Sequence, residues 1–512
     1  MTGNKLYLDY IAGADPAAGF YTHPPLDFDA AQRARAAYSY PRREVGRLLH
    51  DYNAALGAHA GALANIDALA DAGAFCVIAG NQVGFLGGPV YTTYKIVTTI
   101  RLAERLEAEL GVRVVPTFWL ASEDHDFNEI NHIHFLKGDG ETGRVKFGWE
   151  QEGRPVSDLP ITDEVRRAYQ EYLACLPTGP HRAEVEELFA PDEAEDYCSW
   201  QARIWARLFS GRGLVLVEPR VIRPAGGSFF RLALEHAGEI EQRLAGVARR
   251  LAEAGYAPQL TSEEAGRLYT FAADGRRVRV EHPQEHVPLA EAHPERYSSD
   301  AALRPLFADS LLPVLADVSG PGEISYQAML RPLHDLFEVP QPLLFPRMHC
   351  TVVSASEASL LARYGTSAEE VLLERLDPDA AFRRLAPEGD LALFVAARGQ
   401  VESALAPLRP YLEGIDPGLG QTWARALEHS LGSIDKLEER ALKARMSQLR
   451  FSKQELLSLR NSLLPRGRLQ ERVLPLPHFL NRHGTAFLDE LFSAGNLDHF
   501  THRILTLENT DA

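Results

Sequence analysis

Residues 75–120 constrain this chain more than any other stretch. Phe75-Cys-Val-Ile-Ala-Gly80 is a short apolar run closed by glycine, the pattern of a strand buried on both faces. A glycine-rich loop follows, and Pro89 suits the first turn of a helix, where its missing N–H would have no partner in any case. Tyr91 to Leu110 carries apolar residues at helical spacing until Gly111, and Val112 to Leu120, rich in Val, Phe and Trp, reads as a second strand. Strand, loop, helix and strand in this order predict a parallel β-α-β unit, so the fold is α/β at its start.

Beyond Lys137 the chain turns polar, and Pro155, Pro160, Pro177, Pro180 and Pro191 separate short helical stretches up to Glu195, as in an insertion. Leu214-Val-Leu-Val217 resumes the buried-strand pattern. One long amphipathic helix is predicted over about Gly227 to Ala254, then strands at Leu268–Ala272 and Val278–Glu281 around the turn Asp274-Gly275, a second insertion. Further strands are predicted at Ala316–Gly320, Leu343–Phe345 and Thr351–Val353, with a helix over Glu323–Phe337. From about Thr366 the sequence is helical, and Pro417–Leu464 reads as one long helix. Its heptad is irregular, with Ser, Gln and Glu on core positions, which predicts a short antiparallel coiled coil with the helix near Leu391–Leu412. The apolar rows Trp423–Leu437 and Leu442–Leu463 exceed what one small domain can cover, which predicts a homodimer. Residues 436–460 hold seven Lys/Arg against three Glu; this face is either solvated or an anion or nucleotide contact.

Composition narrows the function classes. With 45% hydrophobic and 24% charged residues among 512, the chain is of the soluble globular kind, and its length suggests about three units. Lys+Arg 53 against Asp+Glu 70 gives a net charge of −17, which disfavours nucleic acid and anionic membranes as partners. Cys76, Cys175, Cys198 and Cys350 are far apart, without CxxC spacing, which argues against a disulfide scaffold or zinc knuckle and fits a reducing cytoplasm. Met1 to Phe20 lacks the basic and apolar regions of a secretory signal. The longest uncharged run, Ala72–Tyr94, is interrupted by Asn81, Gln82, Gly84, Gly87, Gly88 and Pro89, and so reads as strand, loop and helix start instead of a membrane span.

Three segments carry candidate chemistry. Gly80 to Lys95 places Asn81, Gln82, Gly84 and further glycines between a buried strand and a helix N-terminus, where backbone N–H groups can meet a phosphate or carboxylate. Lys95 is one of only seven lysines and could offset that charge. Glu123, Asp124, His125 and Asp126 stand at the end of the second strand, where open α/β sheets collect ligands. Asp124 and His125 are expected to face inward, to bind an ammonium or accept an amine proton, with Asp126 in support. Ser319-Gly-Pro-Gly-Glu-Ile-Ser-Tyr326 repeats the strand-end and glycine theme, which adds Gly322, Glu323 and Tyr326 to the cleft. A metal reading also exists, with His125, Glu129 and His132, near His134, as ligands of a hydrolase acting on a sugar or amide conjugate. A non-enzymatic coiled-coil scaffold is the third reading.

Gly80-Asn-Gln-Val-Gly-Phe, Gly88-Pro-Val-Tyr-Thr-Thr-Tyr-Lys95, the block Trp119 to Asn131, His293-Pro-Glu-Arg296, Leu303-Arg-Pro-Leu306, Gly320-Pro-Gly-Glu323 and Leu469-Gln-Glu-Arg-Val473 together resemble the BshC family, the cysteine-adding enzymes of bacillithiol biosynthesis. The resemblance implies a Rossmann-like parallel-sheet core related to class I aminoacyl-tRNA synthetases, two connecting-peptide insertions and a coiled coil used in dimerisation. On it, residues 1–136, 205–235 and 295–365 form the core, 137–204 and 236–294 the insertions and 366–470 the coiled-coil domain, and 471–512 returns to the core. It implies a ligase joining cysteine to the amino group of glucosaminyl malate. ATP is then the expected activator, with no metal beyond Mg accompanying it. Neither HIGH nor KMSKS can be read, so adenylate and acyl phosphate both remain open as the intermediate.

Overall fold

The computed structural model describes residues 4–124, 126–137, 140–150, 153–192, 195–260, 265–495 and 497–507. Its central sheet has five parallel strands: β1 (Phe75–Gln82), β2 (Val114–Ala121), β3 (Val215–Val217), β4 (Val314–Ser319) and β5 (Leu343–Pro346). Their spatial order is β3-β2-β1-β4-β5, the doubly wound arrangement of a Rossmann-like domain. The helix α1 (Tyr91–Leu110) joins β1 to β2, which run in parallel register from Phe75 opposite Val114 to Gln82 opposite Ala121.

Side chains on a strand alternate between faces. Phe75, Val77 and Ala79 join the core that holds Tyr94, Val97 and Ile100 of α1, whereas Cys76 and Ile78 join the opposite core with Phe307 and Leu311. Burial on both faces explains why β1 and β2 read as nearly unbroken apolar text. Phe147 and Trp200 close on the loop after β1 through aromatic rings, with Phe85 to Phe147 centroids 5.2 Å apart and Phe85 to Trp200 5.9 Å.

Several elements differ from expectation. The helix expected over Gly227–Ala254 is two, Gly227–Glu235 and Ala237–Glu253, parted at His236. The helix expected over Glu323–Phe337 is α2 (Pro321–Gln327) followed by Arg331–Phe337; Pro332 fits the first turn of the latter, whereas within one continuous helix it would remove a backbone hydrogen bond. The strand near Thr351–Val353 is not in the central sheet. Cys350–Ser354 instead pairs in parallel with Arg503–Leu507, while the Gln470 side chain bonds to both the N–H and the C=O of Val352, as a further strand would.

The C-terminal helices include α3 (Glu388–Leu405), α4 (Leu419–Gln448) and α5 (Lys453–Leu463). The single helix expected over Pro417–Leu464 stops where Arg450 adopts φ +58°, and Ser452 caps the restart. Trp423 Nε1 donates to Leu405 O at 2.8 Å, and Arg398 Nε donates to Asp435 at 2.9 Å. Residue numbers fall on α3 as they rise on α4, so the coiled coil is antiparallel. Among the described residues no helix is long and apolar enough to cross a membrane.

Candidate active site

The carboxyl ends of β1, β2 and β4 border a cavity of about 330 Å³. It sits where the strand order departs from β1 in both directions, and the crevice at such a switch point is where open α/β sheets bind ligands. Asn81 and Gln82 of β1, Trp119 of β2, and Asp317 and Ser319 of β4 form one side. Arg304 and Asp309 of the helix Arg304–Leu311, with Glu323, Tyr326 and Gln327 of α2, form the other.

The loop after β1 is built for close approach of backbone to backbone. Leu86, Gly87 and Gly88 have φ of 51°, 83° and 68°, and a Cβ on Gly84 would lie 2.8 Å from Gly88 Cα. The N–H groups of Gly84, Gly88 and Val90 are taken by Gln82 O, Phe85 O and Leu474 O, and that of Gly87 by Gly84 O and Gln201 Oε1. The phosphate cradle expected here is therefore corrected: these donors are already taken by the loop, Leu474 and Gln201, and the loop acts as a scaffold that aims Asn81 and Gln82. Gly84 belongs to its turn and is not among the lining residues. Asn81 Nδ2 donates to Thr92 Oγ1 at 2.9 Å.

Lys95 is only 2% exposed, and its Nζ lies 2.5 Å from both Gly80 O and Glu323 Oε1. Glu323 also accepts the Gly320 N–H on Oε2 at 2.7 Å, so one carboxylate ties α1, the end of β4 and α2 together. Lys95 is thus an internal tie, not a side chain held out toward an anion. Gly322 is exposed, with open space around its Cα, and does not line the cavity. The Tyr326 hydroxyl donates to Ala301 O at 2.5 Å.

The acidic cluster after β2 splits. Glu123 is buried and paired with Arg223, whose Nε donates to it at 2.8 Å. Asp126 is exposed and caps the turn Phe127–Ile130 by accepting the Asn128 N–H at 3.2 Å. Asp124 turns to the cavity side, where its Oδ2 accepts from Gln82 Nε2 at 2.7 Å and from Arg304 Nη2 at 3.2 Å. Burial pushes its pKa up, but Arg304, Gln82 and Arg277 outweigh burial and hold the carboxyl at about 2. A carboxylate this acidic keeps its charge at neutral pH, so it suits holding a cation or its neighbours better than accepting a proton. His125 lies outside the described residues.

Three lining residues were not singled out from the sequence. Arg304 stood in the Leu303–Leu306 motif, and Asp317 stood inside a predicted strand; neither position alone signals a partner near Asp124 or Glu323. Asp309 is buried, with Arg35 Nη2 3.4 Å and His334 Nε2 3.8 Å from its carboxylate. Burial, against the pull of Arg35 and with the push of Asp317, carries Asp309 up to about 7. Burial and the neighbouring Glu323 bring Asp317 up to about 6.

Of the ligands in the metal reading, His125 lies outside the described residues, and the described ones are not brought together as a metal group. Glu129 borders the cavity, whereas His132 and His134 lie on the hairpin strand His132–Leu136, with His134 Nε2 2.7 Å from Arg466. A different group, His349, Glu471 and His502, has metal-like spacing among the described residues. There Glu471 already accepts Arg347 Nη2 at 2.7 Å, His349 Nδ1 at 3.0 Å and the Cys350 N–H at 3.1 Å, so a guanidinium holds the place a cation would take.

Comparison with known proteins covers the whole architecture. Residues 1–348 match the family model for the N-terminal Rossmann-like domain of Bacillithiol biosynthesis BshC, and residues 350–507 match that for its C-terminal coiled-coil domain. The chain is similar to a protein of Geobacillus kaustophilus named "Putative cysteine ligase BshC", with 31% identity over 98% of this chain and 97% of the relative. Proteins of the same name from Koribacter versatilis and Salinibacter ruber are each 29% identical, over 96% and 98% of this chain and 95% and 96% of their own lengths. With both domains matched in order and these relatives aligned over 95–97% of their lengths, the chain belongs to the BshC family of bacillithiol biosynthesis.

Proposed function

We propose that this chain is a ligase that joins cysteine to the amino group of glucosaminyl malate to give bacillithiol. The observation that carries the reading is the charge of the switch-point cavity. Asp124 at its rim and Glu129, Asp309, Asp317 and Glu323 in its lining outnumber Arg304 together with the buried Lys95 and Arg35 that pair with Glu323 and Asp309. Such a surface attracts an amine and repels a polyphosphate, so the reading assigns these carboxylates to the amine and not to the ATP that activates the other substrate. The name carried by the relatives supplies cysteine as the other substrate.

An amide does not form readily from a free carboxylate, so the reading includes ATP, with its accompanying Mg, as activator of the cysteine carboxyl. The chain's own residues serve the amine: the Gln82–Asp124–Arg304 frame fixes one wall, and the Lys95–Glu323 tie fixes the other. The reaction is placed in the cytoplasm. The proposed assembly is a homodimer through the coiled coil, supported by Leu393, Val395, Tyr411 and Leu437, which are 61–72% exposed on α3, α4 and the helix Leu408–Ile415 between them.

Incubation with cysteine, glucosaminyl malate and ATP, followed by mass analysis, is expected to give the cysteinyl product with AMP or ADP. Product without nucleotide turnover would remove the activation step, and hydrolysis of a sugar conjugate without amide formation would remove the ligase. Light scattering at micromolar concentration is expected to report a dimer; a monomer would remove the assembly.

A further inference from the structure

The cavity floor carries hydrogen-bonding capacity that the protein itself leaves unused. Gln327 is 2% exposed and donates Nε2–H to Asp317 Oδ2 at 3.0 Å, which leaves its own Oε1 buried without a partner. Gln82 directs Nε2 to Asp124 and likewise leaves Oε1 buried and unpartnered. Asp317 accepts Ser319 Oγ–H on Oδ1 at 2.9 Å and Gln327 on Oδ2, one bond for each oxygen, where a carboxylate offers about four sites. Trp119, 4% exposed, contributes an unpartnered indole N–H. Buried polar atoms rarely stay unpaired, and unpaired ones at a cleft point to what belongs there.

The unused sites are mostly acceptors, so the molecule that completes this floor has to bring several N–H or O–H donors. An ammonium has three donors and no acceptor, and hydroxyls on adjacent carbons add more. The charged and titratable groups around Asp317 are Lys95 from α1, Glu323 and Tyr326 from α2, Arg304 and Asp309 from the helix Arg304–Leu311, and Asp124 beyond β2. Lys95 is tied to Glu323, Arg304 to Asp124 and Arg35 to Asp309, which leaves Asp317 as the floor carboxyl group for an incoming cation.

We propose that Asp317, flanked by the Gln327 carbonyl, is the subsite for the amino group of an amino-sugar substrate and takes the proton which that ammonium gives up before it attacks. The inference rests on the ligase reading above and assigns the amine to a place within it. In the step, an ammonium N–H bond breaks, the proton passes to an Asp317 carboxylate oxygen, and the electron pair stays on nitrogen as the nucleophile. Burial and Glu323 raise Asp317 to about 6, which makes it a better proton acceptor near neutral pH than Asp124.

The test is calorimetric binding of glucosaminyl malate and of its N-acetyl derivative to the full chain and to Asp317→Asn, from pH 5 to 8. For the wild type, affinity for the amine is expected to rise as Asp317 ionises through about pH 6. Asp317→Asn is expected to bind the amine at least 10-fold more weakly, to lose that pH dependence, and to bind the N-acetyl derivative within 2-fold of wild type. Gln327→Met keeps the carboxylate and should weaken amine binding about 3-fold, which preserves the test if Asp317→Asn does not fold. Equal binding of the amine by wild type and both variants would overturn the subsite while leaving the ligase intact. A wild type that binds no glucosaminyl malate and forms no product would overturn the ligase reading and the subsite together.

Discussion

Gln82, the last residue of β1, donates to Asp124, just beyond β2, at 2.7 Å, so the ends of two neighbouring strands are locked by one hydrogen bond at the cavity. The same oxygen accepts Arg304 at 3.2 Å, and the three side chains form a frame whose charge is fixed at neutral pH.

Asp124→Asn keeps the shape of this frame but removes its charge. We expect kcat/KM for the amine substrate to fall about 100-fold, within the range for loss of a positioned charged group. The neutral limb of the pH–rate profile should stay where it is, because Asp124 titrates at about 2. A neutral limb that moves by a unit or more in steady-state assays would contradict this.

The Lys95–Glu323 tie should be a stability element. Lys95→Met leaves Gly80 O and Glu323 Oε1 without their donor and is expected to lower unfolding free energy by about 2 kcal/mol. Glu323→Ala strands an ammonium that is 2% exposed and should cost about 3 kcal/mol, more than Glu323→Gln, which can still cap α2. Urea denaturation of the three variants ranks them directly.

Stability should depend on pH in two opposed windows. Asp309 and Asp317 hold their protons more tightly folded than unfolded, where Asp titrates near about 3.9. Their contribution is present below about pH 4 and is lost as pH rises to about 6 for Asp317 and about 7 for Asp309. Asp124 behaves oppositely: its contribution is present above about pH 4 and is lost as pH falls toward about 2. Between pH 4.5 and 6.5, Asp309→Asn should flatten the decline of the wild type by about 1 kcal/mol per pH unit, as read from denaturation midpoints.

Glu471 is fully buried between Arg347 and His349, and although burial raises its pKa, these two neighbours hold it well below the usual carboxylate range. Glu471→Gln leaves Arg347 buried without a counter-charge and should cost about 3 to 5 kcal/mol. Calorimetry that finds the variant as stable as wild type would show that the pair holds nothing together.

Legibility followed sequence distance. The unit Phe75–Leu120 could be read because a strand buried on both faces, a glycine loop and a helix each leave a local periodicity. His236 and Arg450 break helices without proline or glycine at the break, so their periodic text runs on through the interruption. Thr351 read as core strand because its apolar setting says nothing about its partner, Ile504. In the cavity, Glu323 stood out beside glycines at one strand end and Asp124 within an acidic cluster at another. Asp317 did not, because a carboxyl within an apolar strand acquires meaning only when β4 is placed against β1.

The turn that launches α1 is anchored from the far end of the chain: Val90 N–H donates to Leu474 O at 2.9 Å, and Pro89 bridges Pro475. On the ribosome, β1, the loop and α1 emerge long before this anchor does, and pairings of such long range form slowly. The nascent protein therefore carries an unanchored loop until Leu474 has emerged. A chain interrupted before Leu474 would hold every cavity-lining residue and still lack the peptide group that sets the loop.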